Sequence, residues 1–231
     1  MGDKQFLWSE SQQSFLMYQI SGSSWIALGD PVGPKQEQED LAWSFREMVD
    51  RHDGRPVFYQ VCGESLPIYV DMGLGLAKLG EVARVPLAAF SLEGSKFAEF
   101  RQVRNKAMKL GATFEIVPSL EVSSIAGDLR AISESWLKDK SAKEKGFSLG
   151  SFSEQYISNF DCAVVRIAGS IVAFANIWPA AEGSELSVDL IRHNDAAPNG
   201  VMDYLFTELM LWGKTQNYQW FSLGRALRCL V

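Results

Sequence analysis

The chain has 231 residues, 47% of them apolar and 22% charged, with seven Trp and fourteen Phe. That composition supplies a core and excludes intrinsic disorder. The net charge of −6 divides evenly: residues 1–120 carry 12 basic and 15 acidic side chains, and residues 121–231 carry 10 and 13. Neither half is therefore a basic nucleic-acid module, and no run approaches the roughly 18 apolar residues of a membrane span. The opening MGDKQFLWSE has no apolar stretch of the secretory type. Cys62, Cys162 and Cys229 sit in no metal or redox spacing, which suits a reducing compartment.

In chain order, Phe15 to Ile20 and Trp25 to Leu28 flank Ser21-Gly22-Ser23-Ser24, which reads as a hairpin. A tight loop follows, Gly29 to Pro34. Leu41, Phe45, Met48 and Val49 then recur at helical spacing, which predicts a helix over about 36–52 that stops at Asp53-Gly54. Pro56 to Val61 reads as a buried strand, Leu66 to Gly73 as a short helix, and Leu76 to Leu79 and Val82 to Val85 as strands. Phe100, Val103, Ala107 and Leu110 line one face of a helix over 96–110, with Gly111 as its stop.

Phe114 to Val117 is the next predicted strand, followed by a helix over about 122–138. Ala163 to Ala168 and Ile171 to Trp178 flank Gly169-Ser170 as a second hairpin, and Glu185 to Ile191 is a third strand. A helix over 200–214 buries Met202, Leu205, Phe206, Leu209 and Trp212, and Trp220 to Leu223 closes the order as a strand. Each half is thus a strand meander, a helix and a further strand, which is α+β twice over with the join near 112–122. An antiparallel meander, a helix and then a strand is also the order of the general control N-acetyltransferase (GNAT) fold, an analogy of fold alone.

Strand 185–191 carries the most chemistry. Alternation puts Glu185, Ser187 and Asp189 on one face and Leu186, Val188 and Leu190 on the other. The strand is expected beside 171–178, which is apolar except for Asn176. Arg192 lies three residues beyond Asp189, so the two share a face only if the strand bends or bulges. A carboxylate beside a guanidinium can hold an amino group, orient a hydroxyl or stabilise an oxyanion; a structural ion pair is the plainer alternative.

Two segments concentrate positive charge. Lys96, Arg101, Arg104, Lys106 and Lys109 face one acid, Glu99; Lys138, Lys140, Lys143 and Lys145 face Asp139 and Glu144. Solvated helix faces explain both as readily as a polyanion does. The glycine-rich loop that coenzyme A enzymes of the GNAT type place before the last helix has no counterpart in HNDAAPNGVM, residues 193–202. Only Arg51 to Pro56 matches it in part, after a helix and ending in Pro. His52 and His193 have no neighbouring cysteine cluster, so neither a zinc site nor another cofactor is expected.

Several segments resemble one family in the same order. They are LGDPVGP (28–34), PVFYQV (56–61), LPIYVDMGL (66–74), FSLEGSKFAEFRQVRNKAMKLGATFE (90–115), EKGFSLGSF (144–152), IVAFANIWP (171–179), ELSVDLIR (185–192), DAAPNGVMDYLFTELMLWGK (195–214) and FSLG (221–224). The pattern is similar to the C-terminal cytosolic domain of phosphatidylglycerol lysyltransferases, also called multiple peptide resistance factors. The resemblance implies an α+β protein of tandem GNAT-like folds, residues 1–115 and 116–231. The helix over 96–110 would join them, and the second fold would be C-terminally truncated.

The resemblance also implies transfer of an aminoacyl group, lysyl or alanyl, from aminoacyl-tRNA to the glycerol hydroxyl of phosphatidylglycerol. A cationic headgroup would then attract cationic peptides less. Asp189 and Arg192 map onto the family's transfer motif. Glu185, Ser187, Asn176 and Asn199 would line the same cleft, and Lys96, Arg101, Arg104 and Lys106 would meet tRNA or lipid phosphate. The family normally has a polytopic membrane region before this domain, which is expected to be absent from this chain, and the resemblance places this part on the cytoplasmic side of a bacterial membrane. An unpaired edge near 220–223 is expected to favour pairing with another copy. The alternatives are a tRNA- or lipid-binding fragment without turnover, and an N-acyltransferase using acyl-CoA.

Overall fold

The computed structural model describes residues 4–139, 146–148 and 150–226. The chain divides into two compact units, Met1–Lys78 and Leu79–Val231.

In the first unit, β1 (Gln5–Trp8), β2 (Phe15–Ser21) and β3 (Ser24–Leu28) form the antiparallel meander. Helix α1 (Lys35–Arg51) then returns the chain to β4 (Arg55–Tyr59), which pairs parallel with β3. A parallel neighbour requires such a crossover. The apolar stripe of α1, Leu41, Phe45 and Val49, packs on Leu16, Tyr18 and Ala27. Full burial of each large side chain contributes roughly 1.5–3 kcal/mol. Helix α2 (Leu66–Asp71) completes the unit. The expected strand at 76–79 does not form: residues 74–80 are irregular, Leu76 and Leu79 are exposed, and glycines punctuate the stretch.

The second unit holds a six-stranded sheet in the order β5-β10-β9-β8-β7-β6. Its strands are β5 (Glu81–Pro86), β6 (Thr113–Val117), β7 (Cys162–Ile167), β8 (Ser170–Pro179), β9 (Glu185–His193) and β10 (Trp220–Ala226). All pairings are antiparallel except β9 with β10. Strand alternation sorts the two faces. Ala163, Val165, Ala173, Ala175 and Ile177 pack on α3 (Ala98–Lys109) and α6 (Val201–Thr215). Cys162, Val164 and Phe174 pack on α4 (Ser119–Asp139) and α5 (Glu154–Ile157).

Two expectations change. The edge expected near 220–223 is not open, because β10 lies between β9 and β5. The units part between Lys78 and Leu79, upstream of the 115/116 boundary expected from the sequence. Both differences have one cause: β5 precedes α3 in sequence but pairs with β10, so it joins the second sheet. Among the described residues, no helix is long and apolar enough to cross a membrane.

Candidate functional site

The register between β8 and β9 slips by one residue. Ala175 pairs with Ile191 and Ile177 with Val188, so Asn176 faces both Asp189 and Leu190. This is a β-bulge on β9, and it resets the alternation. Leu186, Val188 and Ile191 pack toward α3 and α6, whereas Leu190 packs in the cluster with α4 and α5. Leu190 therefore leaves the face expected for it. The bulge also satisfies the condition set by the spacing, because Asp189 and Arg192 come to the same face. Asp189 meets Tyr156 of α5, and Arg192 stacks on Trp136 of α4.

Around Asp189 the donors are closely set. Tyr156 donates its hydroxyl to Oδ2 at 2.6 Å, and the Gly150 N–H is shared between Oδ2 at 3.0 Å and Oδ1 at 3.1 Å. A Cβ at Gly150 would fall 2.2 Å from Asp189 Oδ2 and 2.5 Å from the Tyr156 hydroxyl, so no other residue fits there. Burial, then the bond to Asp189 and its charge, push the Tyr156 hydroxyl well above its ordinary range. The Asn176 and Trp178 side chains lie near enough to offset part of that rise. Tyr156 consequently stays protonated at neutral pH and remains a donor.

Arg192 is buried, its guanidinium carbon 4.5 Å from the centre of the Trp136 ring. Cation–π stacking of this kind fixes the plane of the group and offsets part of its desolvation. Asn176 is fully buried, and its Oδ1 accepts the Leu190 N–H at 2.7 Å. Trp178 stacks on Phe160, and the Phe160 ring in turn meets Tyr156 edge-on.

The other expected site residues are placed differently. Ser187 donates to the Trp178 carbonyl at 3.2 Å, and Glu185 pairs with Arg84 at 2.7 Å. Asn199 is exposed and lies with Lys106, Val103 and Leu110 in a groove of about 250 Å3 between α3 and α6, the helices of the opposite face. Arg101 donates to the Leu92 and Gly94 carbonyls, and Arg104 pairs with Glu208 of α6. Lys96 lies over the Phe97 ring. The basic segment therefore spends its two arginines on its own fold. Of the lysines in 138–145, only Lys138 lies within the described residues.

Sequence reasoning missed Gly150, Tyr156 and Trp136. The four-residue α5 is too short to show a period. Trp136 does continue the Leu129–Ile132 stripe of α4 and was detectable on that basis.

Comparison with known proteins gives one family. Residues 1–228 match the family model described as phosphatidylglycerol lysyltransferase, C-terminal. Phosphatidylglycerol lysyltransferase of Bacillus subtilis (strain 168) is 36% identical over 98% of the chain, and that of Staphylococcus aureus (strain COL) is 34% identical over 97%. The chain spans only 26% and 27% of those two proteins.

A crystal structure titled as the C-terminal domain of a putative lysylphosphatidylglycerol synthetase from Agrobacterium fabrum superposes with a TM-score of 0.95. It is 41% identical, and the match covers 98% of this chain and 72% of that one. The structure of L-PGS from Bacillus licheniformis gives 0.93 at 36% identity, covering 100% and 73%. FemX shares the fold alone, with a TM-score of 0.61 at 8% identity over 96% of this chain and 79% of that one. With the α+β architecture and these matches together, the chain belongs to the phosphatidylglycerol lysyltransferase C-terminal family.

Proposed function

We propose that this domain transfers an aminoacyl group, lysyl foremost and alanyl as the alternative, from aminoacyl-tRNA to the glycerol hydroxyl of phosphatidylglycerol. The observation that carries the reading is the bulge that sets Asp189 and Arg192 on one face of β9. The family name supplies the lysyl group and the acceptor lipid.

The reaction exchanges one ester for another. The lipid hydroxyl oxygen forms a bond to the aminoacyl carbonyl carbon, and the bond from that carbon to the tRNA ribose oxygen breaks. The proton leaving the lipid hydroxyl ends on the ribose hydroxyl. Positive charge is needed where the tetrahedral oxyanion develops, and a guanidinium held by stacking supplies it without reorganising. Arg192 takes that role. The donor also carries an α-ammonium that needs a fixed carboxylate. Asp189 suits it, because both its donors reach Oδ2 while Oδ1 takes only the shared Gly150 N–H. Tyr156 stays protonated, so it anchors Asp189 and does not act as the base.

The product headgroup gains a cation, which lowers the membrane's attraction for cationic peptides. The test supplies labelled lysyl-tRNA and alanyl-tRNA separately with phosphatidylglycerol micelles and counts label in the lipid fraction. Lipid labelled by the parent chain and lost in Arg192→Ala supports the reading and names the amino acid. Equal labelling by the parent and Arg192→Ala contradicts it.

A further inference from the structure

Asn176 was expected to touch substrate, yet its side chain is fully buried. What it does is local and specific. A bulge leaves one β9 backbone N–H without a ladder partner, and a buried unpaired N–H is costly. Here that N–H belongs to Leu190, and Asn176 Oδ1 accepts it at 2.7 Å from the facing strand. Asn176 is also the single β8 residue that faces the two residues of the bulge, Asp189 and Leu190. Its neighbours on β8, Phe174, Ala175 and Ile177, are apolar and buried.

We infer that Asn176 is a positioning residue: it pins the β9 bulge and so keeps Asp189 and Arg192 on the same face. The inference rests on the transferase reading above. With an apolar side chain at 176, the Leu190 N–H is satisfied only if β9 shifts into regular register. Regular alternation sends residues three apart to opposite faces. Asp189 and Arg192 then no longer meet one substrate, although both remain in the chain. One side-chain oxygen therefore holds the strand at the bulge.

The test compares Asn176→Ala with Asn176→Asp, which keeps an oxygen facing Leu190. Transfer kinetics and hydrogen exchange at the Leu190 amide are read on each, with circular dichroism as the folding control. The expected result is at least tenfold faster exchange at Leu190 and at least tenfold lower kcat in Asn176→Ala, with both partly restored in Asn176→Asp. Asn176→Ala added to Arg192→Lys should cost less than threefold more, because the two act through one arrangement.

A purely structural role would leave the losses additive. Additive losses, or kcat within twofold of the parent in folded Asn176→Ala, overturn the proposal. If Asn176→Ala does not fold, Asn176→Asp decides: protected Leu190 with retained kcat supports the brace, and unprotected Leu190 with full activity removes it. Should the parent chain transfer nothing, the transferase reading falls by itself. Exchange at Leu190 then still decides whether Asn176 holds the bulge.

Discussion

Each unit of the molecule fixes one aspartate in the same way, yet only one of the two sits in a candidate site. In the first unit, Asp30 follows β3 and takes the Tyr69 hydroxyl at 2.7 Å on Oδ1 and the Cys62 N–H at 2.8 Å on Oδ2. In the second, Asp189 lies within β9 and takes the Tyr156 hydroxyl at 2.6 Å and the Gly150 N–H. Both tyrosines are nearly buried, and both have their hydroxyls pushed up, first by burial and then by the aspartate. The difference lies in what else shares the face. The oxygens of Asp30 are each engaged by one donor, and the carboxylate ties the loop after β3 to α2 and to the segment before it. Asp189 has Arg192 on its own face because the strand bulges. In both units a tyrosine hydroxyl holds the carboxylate, and only on β9 does an arginine share its face.

Neutralising the two carboxylates in turn should separate the units most strongly. Asp189→Asn should lower transfer at least a hundredfold, whereas Asp30→Asn should leave it within threefold. Asp30→Asn should instead cost about 1–3 kcal/mol of stability, since two donors lose a charged acceptor. Transfer assays and urea unfolding of the two variants check this directly, and a reversed pattern would move the site to the first unit.

Next in size is Gly150→Ala. Its Cβ would overlap Asp189 Oδ2 and the Tyr156 ring, so one of them must move. Transfer should fall about tenfold or more, by analogy with the cost of small misplacements of reacting groups. Single-turnover rates on the variant measure it.

Smaller again is the pair Tyr156→Phe and Tyr69→Phe. Each removes one buried hydroxyl that donates to a carboxylate, at about 1–3 kcal/mol. Only Tyr156→Phe should also slow transfer. The pair carries a pH signature as well. A hydroxyl whose pKa is raised in the folded state gives stability that is complete below about pH 10, where the unfolded phenol is still protonated, and is lost as pH rises further. The parent should lose stability above about pH 10, and each Phe variant should lose it less steeply. Urea midpoints between pH 8 and 11 read the slope.

Much of the site was legible in the sequence, but only as a condition. The three-residue spacing of Asp189 and Arg192 stated what the strand had to do to unite them. Whether it did so depended on Asn176, fourteen positions before the N–H it accepts, and nothing local in 185–192 encodes that bond. Alternation placed Leu190 on the wrong face for the same reason. The fold was readable wherever helical or strand periodicity was long, as in α1, α4 and α6. The strand at β5 was read, but its sheet was not, because its partner Ser222 lies far along the chain from Arg84. The basic run 96–109 sets a different limit. Charge spacing cannot distinguish a guanidinium that faces a polyanion from one that caps its own loop, as Arg101 does, or pairs across two helices, as Arg104 does.

On the proposed reading, the face shared by Asp189 and Arg192 carries out aminoacyl transfer. The most direct measurement is the transfer of labelled lysine from lysyl-tRNA into phosphatidylglycerol by the parent chain and by Asp189→Asn, with both shown to be folded. Labelled lipid from the parent and at least a hundredfold less from Asp189→Asn is the predicted result. Equal labelling by the two would contradict the account, since the carboxylate held by Tyr156 and Gly150 would then take no part.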